Sequence, residues 1–170
     1  TILSPASIAG VKAAGGGGFG AQQFSLSGDV VLVNDGSGAT TDACQMPFAN
    51  AAAIAGKIAL VDRGNCAFTV KVKNAQDSGA IAVIVGDNAG GNTVAGMGGS
   101  DNTITIPSLR VSQNNGTAIK GELAQGAVQA ALASGTNGTD NSVRWLMGED
   151  STGFGGAIRD MYNPTCYGHP

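Results

Sequence analysis

The polar turn Asp62-Arg63-Gly64-Asn65-Cys66 holds the residues best suited to chemistry in this 170-residue chain. It follows a short apolar run and precedes an amphipathic stretch, so we expect it to join a strand to a helix. The first N–H groups and the dipole of such a helix attract carboxylates. Arg63 can hold a carboxylate through two parallel hydrogen bonds. The turn therefore predicts a site for a peptide carboxylate, held by Arg63.

A structural role for the same turn is the alternative. Gly64 permits a positive φ, and Arg63 can pair with an internal acid or a carbonyl instead of a ligand. A second polar stretch, residues 87–92, follows the next apolar run. Because parallel strands end at the same edge of a sheet, we expect Asp87 and Asn88 to lie beside Arg63 and to form a second wall of the site.

Metal-binding and catalytic motifs do not occur in the sequence. Asp87 and Asp101 lie in loops and carry oxygen ligands, but EF-hand spacing is absent, and no specific metal site is predicted. The one histidine, His169, stands between glycine and proline, and there is no His-Glu-x-x-His motif. The paired carboxylates Glu149 and Asp150 are adjacent in sequence, an arrangement typical of a solvated loop. We therefore predict that this chain is not an enzyme by itself.

Three elements are expected to position the turn. They are a buried strand, an amphipathic helix and a second buried strand, at Lys57–Val61, Phe68–Ser78 and Ala80–Val85. The helical pattern places Phe68, Val72 and Ala75 on one apolar face, and Lys71 among the polar positions. Continuous apolar strands joined by a helix indicate a β-α-β unit with parallel strands.

Further elements flank this unit. They are one strand or a strand pair at Phe24–Asn34, a helical turn at residues 51–55, a strand at Ile104–Val111, a helix at Gln113–Leu123, and a segment at Ala127–Ala133 that propensity leaves open between strand and helix. Ser112 suits the N-cap of the long helix, whose core-facing residues are predicted to be Ala118, Ile119 and Leu123. The run Gly15–Gly18 lacks the context of a phosphate-binding loop and is predicted to be a flexible loop.

The stretch from Gly56 to Val85 resembles the protease-associated (PA) domain, a module of secreted peptidases, sorting receptors and membrane ubiquitin ligases. The likeness is carried by GKIALVDRG, by the cysteine and aromatic residue that follow, and by K-x-x-N-A-Q-x-x-G-A. It implies a β-rich α/β fold over residues 1–134, a β-sandwich or open barrel of about seven strands with two flanking helices. It also implies that Ala127–Ala133 is a strand. In sorting receptors of the family the corresponding turn contacts cargo, which implies that Arg63, Gly64 and Asn65 are ligand-binding residues.

The resemblance also bears on the three cysteines, Cys44, Cys66 and Cys166. In an exported protein two of them should pair. PA domains often join the positions of Cys44 and Cys66, so we predict this disulfide, with two buried thiols in a cytosolic protein as the alternative. Cys166 is then expected to pair with a cysteine beyond Pro170.

Residues 143–170 resemble a segment of thermolysin-like zinc metallopeptidases, and residues 135–142 have the composition of a linker. The likeness rests on W-x-x-G-E-D and on R-x-M-x-[ND]-P-x-x-Y-G-x-P. It implies a parent enzyme that uses zinc, with calcium as a second candidate, although none of the zinc ligands lies in this span. Glu149 fits one calcium position of that family. Arg144 and Leu146 replace carboxylates, so Glu149 is the single metal candidate and no cofactor is predicted here.

Charge and composition exclude several function classes. The net charge is −3, the pI is about 4.8 and there is no basic stripe, so nucleic-acid binding is not expected. No apolar run approaches the ~20 residues that span a bilayer, so no membrane partner is predicted. Only 12% of residues are charged and 28 are glycine, a style that suits a secreted protein. The sequence starts at Thr1 without a signal peptide, so we interpret it as an excised fragment.

Taken together, these features predict a non-catalytic PA domain inserted in a secreted metallopeptidase, beside its catalytic domain. It would bind protein or peptide substrate or control access to the active site. One alternative is a structural spacer or oligomerisation insert without a ligand. The other is an autonomous sorting-type peptide-binding domain.

Overall fold

The computed structural model describes residues 1–135, which contain seven strands and three helices. The strands are β1 (Ile2–Ser4), β2 (Ala14–Gly16), β3 (Ser25–Leu32), β4 (Ile58–Asp62), β5 (Ala82–Gly86), β6 (Ser108–Val111) and β7 (Val128–Ala133). The helices are α1 (Ala51–Ile54), α2 (Phe68–Asp77) and α3 (Gln113–Leu123). The predictions for residues 136–170, including those for Glu149, Cys166 and His169, lie outside the described residues.

These strands form one mixed sheet in the order β1-β7-β3-β4-β5-β6-β2, which curves into a half-barrel. The strands β3 to β6 run parallel to their neighbours among themselves, and β7, β1 and β2 pair antiparallel. The predicted β-rich α/β fold with about seven strands is confirmed. The predicted β-α-β unit is β4-α2-β5, in which Ile58 pairs with Ala82 and Asp62 with Gly86. The two strands therefore end at the same edge of the sheet.

The central strands are buried on both faces. Along β4, Ala59 and Val61 join the hydrophobic cluster that α1 and α2 complete, whereas Ile58 and Leu60 join the cluster that α3 completes. Successive side chains of a strand point to opposite faces, so one apolar run supplies both clusters. This explains why β4 and β5 have continuous apolar sequences and no alternation.

Helix α2 places a charged side chain in the core. Val72 and Ala75 are buried as predicted, and Phe68 packs partly buried against the same cluster. Lys71, which the helical pattern places among the polar positions, is 0% exposed, so that assignment is wrong. A binary pattern treats every lysine as solvated, and it cannot identify one whose partners lie in a distant loop.

Helix α3 approaches β5 closely. Ile119 is buried and Leu123 packs against the core, as predicted. Ala118 is exposed, which corrects the prediction, and Gly116 is buried instead. A Cβ at position 116 would lie 3.0 Å from the Cα of Gly86. The close contact of two backbones selects glycine here, and an apolar-face pattern cannot detect it.

Ser112 is the N-cap of α3, as predicted. Its Oγ accepts a hydrogen bond from the Asn115 N–H at 3.3 Å, and the side chain is buried. Replacing Ser112 with alanine is expected to lower the free energy of unfolding by about 1 kcal/mol, because one N–H of the first turn loses its acceptor. Urea titration measures this change. Ser100→Ala, at an exposed loop position, is the control, and equal losses in both variants would contradict the capping role.

The glycine run is partly a strand. Ala14–Gly16 pairs antiparallel with β6, with Gly15 opposite Arg110, so the prediction of a flexible loop is wrong at these residues. A Cβ on Gly15 would lie 2.2 Å from the carbonyl oxygen of Ala95. Glycine is needed where this strand passes close to another backbone, although its low strand propensity hides the strand in the sequence.

The first and last strands of the described region are neighbours. The Thr1 amino group donates to the Ala131 carbonyl at 2.9 Å, and the Ala131 N–H donates to the Thr1 carbonyl at 2.9 Å. The pairing of β1 with β7 is antiparallel. The chain thus enters and leaves the sheet side by side.

Candidate functional site

The predicted site residues meet at the carboxyl ends of β4 and β5. The Arg63 N–H donates to the Gly86 carbonyl at 2.9 Å, and Arg63 Nη1 donates to Asp87 Oδ1 at 3.0 Å. A Cβ on Gly64 would lie 3.7 Å from Asn88 Nδ2. The structure therefore brings Arg63, Gly64, Asp87 and Asn88 together, as the parallel arrangement of the two strands requires.

The Arg63 side chain is anchored at one end and open to solvent. It is 41% exposed, whereas its partner Asp87 is 4% exposed. Within residues 1–135, Nη1 is the only nitrogen of this guanidinium that makes a hydrogen bond. Nε and Nη2 thus form an edge that can donate two parallel hydrogen bonds to a carboxylate. Pairing with an internal acid does not use up the donors that a ligand would need.

A second arginine holds Asp87 from the protein interior. Arg110, on β6, donates from Nη2 to Asp87 Oδ2, and its side chain is 9% exposed. Burial raises the pKa of Asp87, but hydrogen bonds from Arg63, Arg110 and the Asn88 N–H lower it by a larger amount. The pKa of Asp87 in the folded protein is therefore below its ordinary value. Asp87 is therefore an anion at neutral pH, shared by two guanidinium groups.

Arg110 also connects two other segments. Its Nη1 donates to the Gly96 carbonyl at 3.0 Å, and its guanidinium carbon lies 5.5 Å from the centroid of the Phe68 ring, within cation–π range. Arg110 was not among the predicted site residues. The available signal was a charged residue within the apolar run of β6, since charged residues are almost never fully buried unless they are paired.

The turn itself is tied to a neighbouring loop. Gly64 and Asn65 adopt positive φ values of 137° and 57°, and Asn tolerates the left-handed region. Asn65 Nδ2 donates to Asp42 Oδ2. Cys66 forms the predicted disulfide with Cys44, with the Cα atoms 5.8 Å apart. The Asn65 amide therefore has an internal partner, unlike the open edge of the arginine before it.

Lys71 lies below the loop that carries Cys44. Its Nζ donates to the Asp42 carbonyl and lies 3.3 Å from Cys44 Sγ. Burial lowers the pKa of Lys71, and the carboxylates of Asp42, Asp35 and Asp62 only partly oppose that shift. Because Asp42 and Asp35 are also buried, this ammonium group supplies the positive charge that they need.

Two other residues of the helical motif bind loops in the same way. Asn74 Nδ2 donates to the Ala43 carbonyl at 2.9 Å. Gln76 Oε1 accepts from the N–H groups of Thr105 at 2.7 Å and Ile106 at 3.2 Å. The K-x-x-N-A-Q motif is therefore explained by structural contacts.

The second wall of the site is fixed by α3. Gln113 Oε1 accepts from the Gly91 N–H at 3.1 Å, and Gln113 Nε2 donates to the Asn88 carbonyl at 3.2 Å. The Asn114 N–H donates to the Gly91 carbonyl at 2.9 Å. The loop after β5 is thus held at both ends, and Asn88 remains exposed.

Helix α2 begins beside Arg110 and has no side-chain cap. Its N-cap, Ala67, offers no side-chain hydrogen bond, and its first turn contains no acidic residue. Phe68, the first helical residue, contacts Arg110, so the positive end of the helix dipole lies near the two guanidinium groups. The helix dipole and the two guanidinium groups favour an anionic ligand here, whereas the carboxylates at the ends of β4 and β5, Asp62 and Asp87, are already paired with Lys120 and with the two arginines.

No metal site is found in the described part of the chain. Among residues 1–135, no three or more His, Cys, Asp or Glu side chains are grouped to hold a metal ion. Asp87 binds two arginines, and Asp101 Oδ1 accepts hydrogen bonds from the N–H and Oγ1 of Thr103. In the same residues, no helix is long and apolar enough to cross a membrane.

A curved mixed sheet with a disulfide-tethered turn at the end of its β-α-β unit defines a class of domain rather than a whole protein. The family model for the PA domain matches residues 26–119. The matched range includes the turn, α2, the buried arginine and both cysteines of the disulfide. The chain belongs to the PA domain family.

Its relatives are larger proteins. Vacuolar-sorting receptor 2 of Arabidopsis thaliana is 37% identical over 137 residues, covering 74% of this chain and 22% of the receptor. An aminopeptidase from Aneurinibacillus sp. strain AM-1 superposes with a TM-score of 0.55 at 25% identity, covering 72% of this chain and 27% of that enzyme. A zinc aminopeptidase from Bacillus subtilis shares the fold, with a TM-score of 0.51, 22% identity and coverage of 71% and 27%. The chain spans less than a third of each relative.

The disulfide is expected to be a major stabiliser of the turn. The double variant Cys44→Ser, Cys66→Ser should unfold with a free energy about 3 kcal/mol lower than the wild type, because the bond joins residues 22 apart in sequence. Urea titration under oxidising conditions measures the loss. Wild-type protein unfolded in a reducing agent should match the variant, and a difference of less than about 1 kcal/mol between oxidised and reduced protein would refute the expectation.

Proposed function

We propose that residues 1–134 are a non-catalytic PA domain of a secreted zinc metallopeptidase and bind protein or peptide substrate beside the catalytic domain. The observation that carries the proposal is the open Nε/Nη2 edge of Arg63, which the bond to Asp87 leaves free. The ligand group it fits is a peptide carboxylate, either a C-terminus or an acidic side chain. Gly64, Asn65, Asp87 and Asn88 shape the surroundings of that edge.

The parent assignment has support from several sources. The solved aminopeptidases with this fold are peptidases that contain a comparable domain, and residues 143–170 resemble a metallopeptidase segment. The disulfide is typical of an oxidising compartment. Zinc would be held by the catalytic part of the parent, because no described residues of this chain are grouped for it. Thr1 and Ala131 lie side by side, as a domain inserted into a host would require.

A binding titration with a matched control tests the site. The probe is a fluorescein-labelled tryptic digest of casein, used with free carboxyl groups and again after the carboxyl groups are amidated. Arg63→Gln should weaken binding by about tenfold or more, because a charged hydrogen-bonded pair is worth roughly 1.5–3 kcal/mol. Amidation should weaken binding to the wild type equally.

Lys57 provides the control position. It precedes β4, at the end opposite to Arg63, is 40% exposed, and pairs with Asp29. Lys57→Gln removes the same charge and should change the affinity less than twofold. Equal effects of the two substitutions would show that only net charge matters. Absence of binding by the wild type would reject this site and favour a spacer role.

The 37% identity to a vacuolar-sorting receptor favours a second candidate, an autonomous peptide-binding domain. The two candidates differ in what the parent protein does with a bound peptide. Casein hydrolysis by the parent that stops on zinc chelation supports the metallopeptidase. A parent that binds the peptides and leaves them intact supports the autonomous domain.

A further inference from the structure

The buried guanidinium of Arg110 lies at the centre of the candidate site, although no ligand could reach it. It is 9% exposed, and its three neighbours come from three segments: Asp87 after β5, Gly96 in the following loop, and Phe68 at the start of α2. Its position is therefore fixed by the fold. A carboxylate bound to such a group has little freedom to move.

The fixed position of Arg110 also restrains Arg63 at the surface, because both guanidinium groups bind the carboxylate of Asp87. Asp87 Oδ2 accepts from Arg110, which leaves Oδ1 pointing to Arg63 Nη1 at 3.0 Å. The Asn88 N–H also donates to Oδ1 at 2.8 Å. Both oxygens are therefore held, and the second one defines where the exposed guanidinium lies. A free arginine side chain loses rotamer entropy on binding, so fixing it beforehand favours association.

We propose that Arg110 and Asp87 form a buried positioning pair that orients Arg63, so that ligand affinity depends on two side chains the ligand never touches. This inference rests on the proposed ligand site around Arg63. It assigns Asp87 a different role from the ligand contact expected at the sequence level. Its carboxylate repels an anionic ligand by charge but holds the cation that receives it.

The first test needs no ligand. Side-chain ¹⁵N relaxation of the arginine Nε–H groups in the 170-residue chain reports the mobility of Arg63, assigned by loss of its signal in Arg63→Gln. The Nε–H of Arg63 in the wild type should be nearly as ordered as that of Arg110. If it is as mobile as in urea-unfolded protein, the proposal is overturned, whatever any variant does. In Asp87→Asn the Arg63 order should be lost.

The second test is a double-mutant cycle with the casein peptides. Asp87→Asn should weaken binding about tenfold in the wild-type background and less than twofold in the Arg63→Gln background, with folding verified by circular dichroism for each variant. A general structural effect would weaken binding equally in both backgrounds and would overturn the proposal. If Arg63→Gln alone has no effect, the ligand site fails. If Arg63→Gln weakens binding but Asp87→Asn does not, the ligand site stands and only the positioning role fails.

Discussion

Replacing Lys71 with methionine is expected to lower the free energy of unfolding by about 3 kcal/mol, the upper end of the range for losing a buried hydrogen bond to a charged group. Methionine preserves most of the volume, so the effect isolates the charge and the hydrogen bond. The Asp42 carbonyl loses its donor, and the buried carboxylates of Asp42 and Asp35 lose a neighbouring positive charge. Chemical denaturation measures the loss.

Lys73 offers a matched control two residues away on α2. It is 32% exposed and pairs with Asp77 one turn later, so Lys73→Met should cost less than about 0.5 kcal/mol. The pH profile is a second readout. Because burial lowers the pKa of Lys71, stability should rise with pH from that lowered pKa to the ordinary value of 10.5. Lys71→Met should lack this rise, and similar losses in both variants would disprove the buried-charge explanation.

Asp87→Asn is expected to destabilise the protein by a similar amount, about 3–5 kcal/mol. The substitution keeps the side-chain shape but leaves the buried guanidinium of Arg110 without its anion. Arg63 loses its anchor as well, although its exposure makes that contribution small. Chemical denaturation is again the measurement, and Asp77→Asn, whose carboxylate is 47% exposed, is the control.

The dependence of stability on pH in the acid range is a second test of the role of Asp87. The pKa of Asp87 in the folded protein is below the ordinary value of 3.8, so its stabilising effect is complete above that value. The effect is lost as the pH falls through the lowered pKa. The stability of Asp87→Asn should therefore fall less steeply than that of the wild type below about pH 4. An unchanged acid slope would show that Asp87 is not the group responsible.

The strand-turn-helix-strand framework could be predicted because each piece has a strong local pattern. Two apolar runs, a polar turn and a helix with Val72 and Ala75 on one face require no knowledge of distant residues. Parallel pairing then places Arg63 and Asp87 at one edge. The topology of the sheet therefore predicts that these two side chains lie close together. The ion pair between them corresponds to only one of the two interpretations of the turn, the structural one.

The remainder depends on contacts between residues far apart in sequence. Lys71 is buried because a loop about 30 residues earlier covers it. Arg110 is buried because three separate segments meet around it, and Gly15 is a strand residue because another backbone passes beside it. None of these facts leaves a periodic signal. The sequence shows only a charged residue or a glycine within an otherwise regular pattern. Such a residue indicates a structural constraint but does not identify the residue that it contacts.

The side-by-side positions of Thr1 and Ala131 make the domain easy to transplant. Neighbouring strands lie about 5 Å apart, so a surface loop of an unrelated carrier protein could receive residues 1–134 without separating the two sides of the loop. The same geometry would allow a short peptide to join the two ends, with new termini opened at an exposed loop such as residues 98–100. The turn at residues 62–66 lies outside both cuts, so it could be moved between carriers with Arg63 and Arg110 in place.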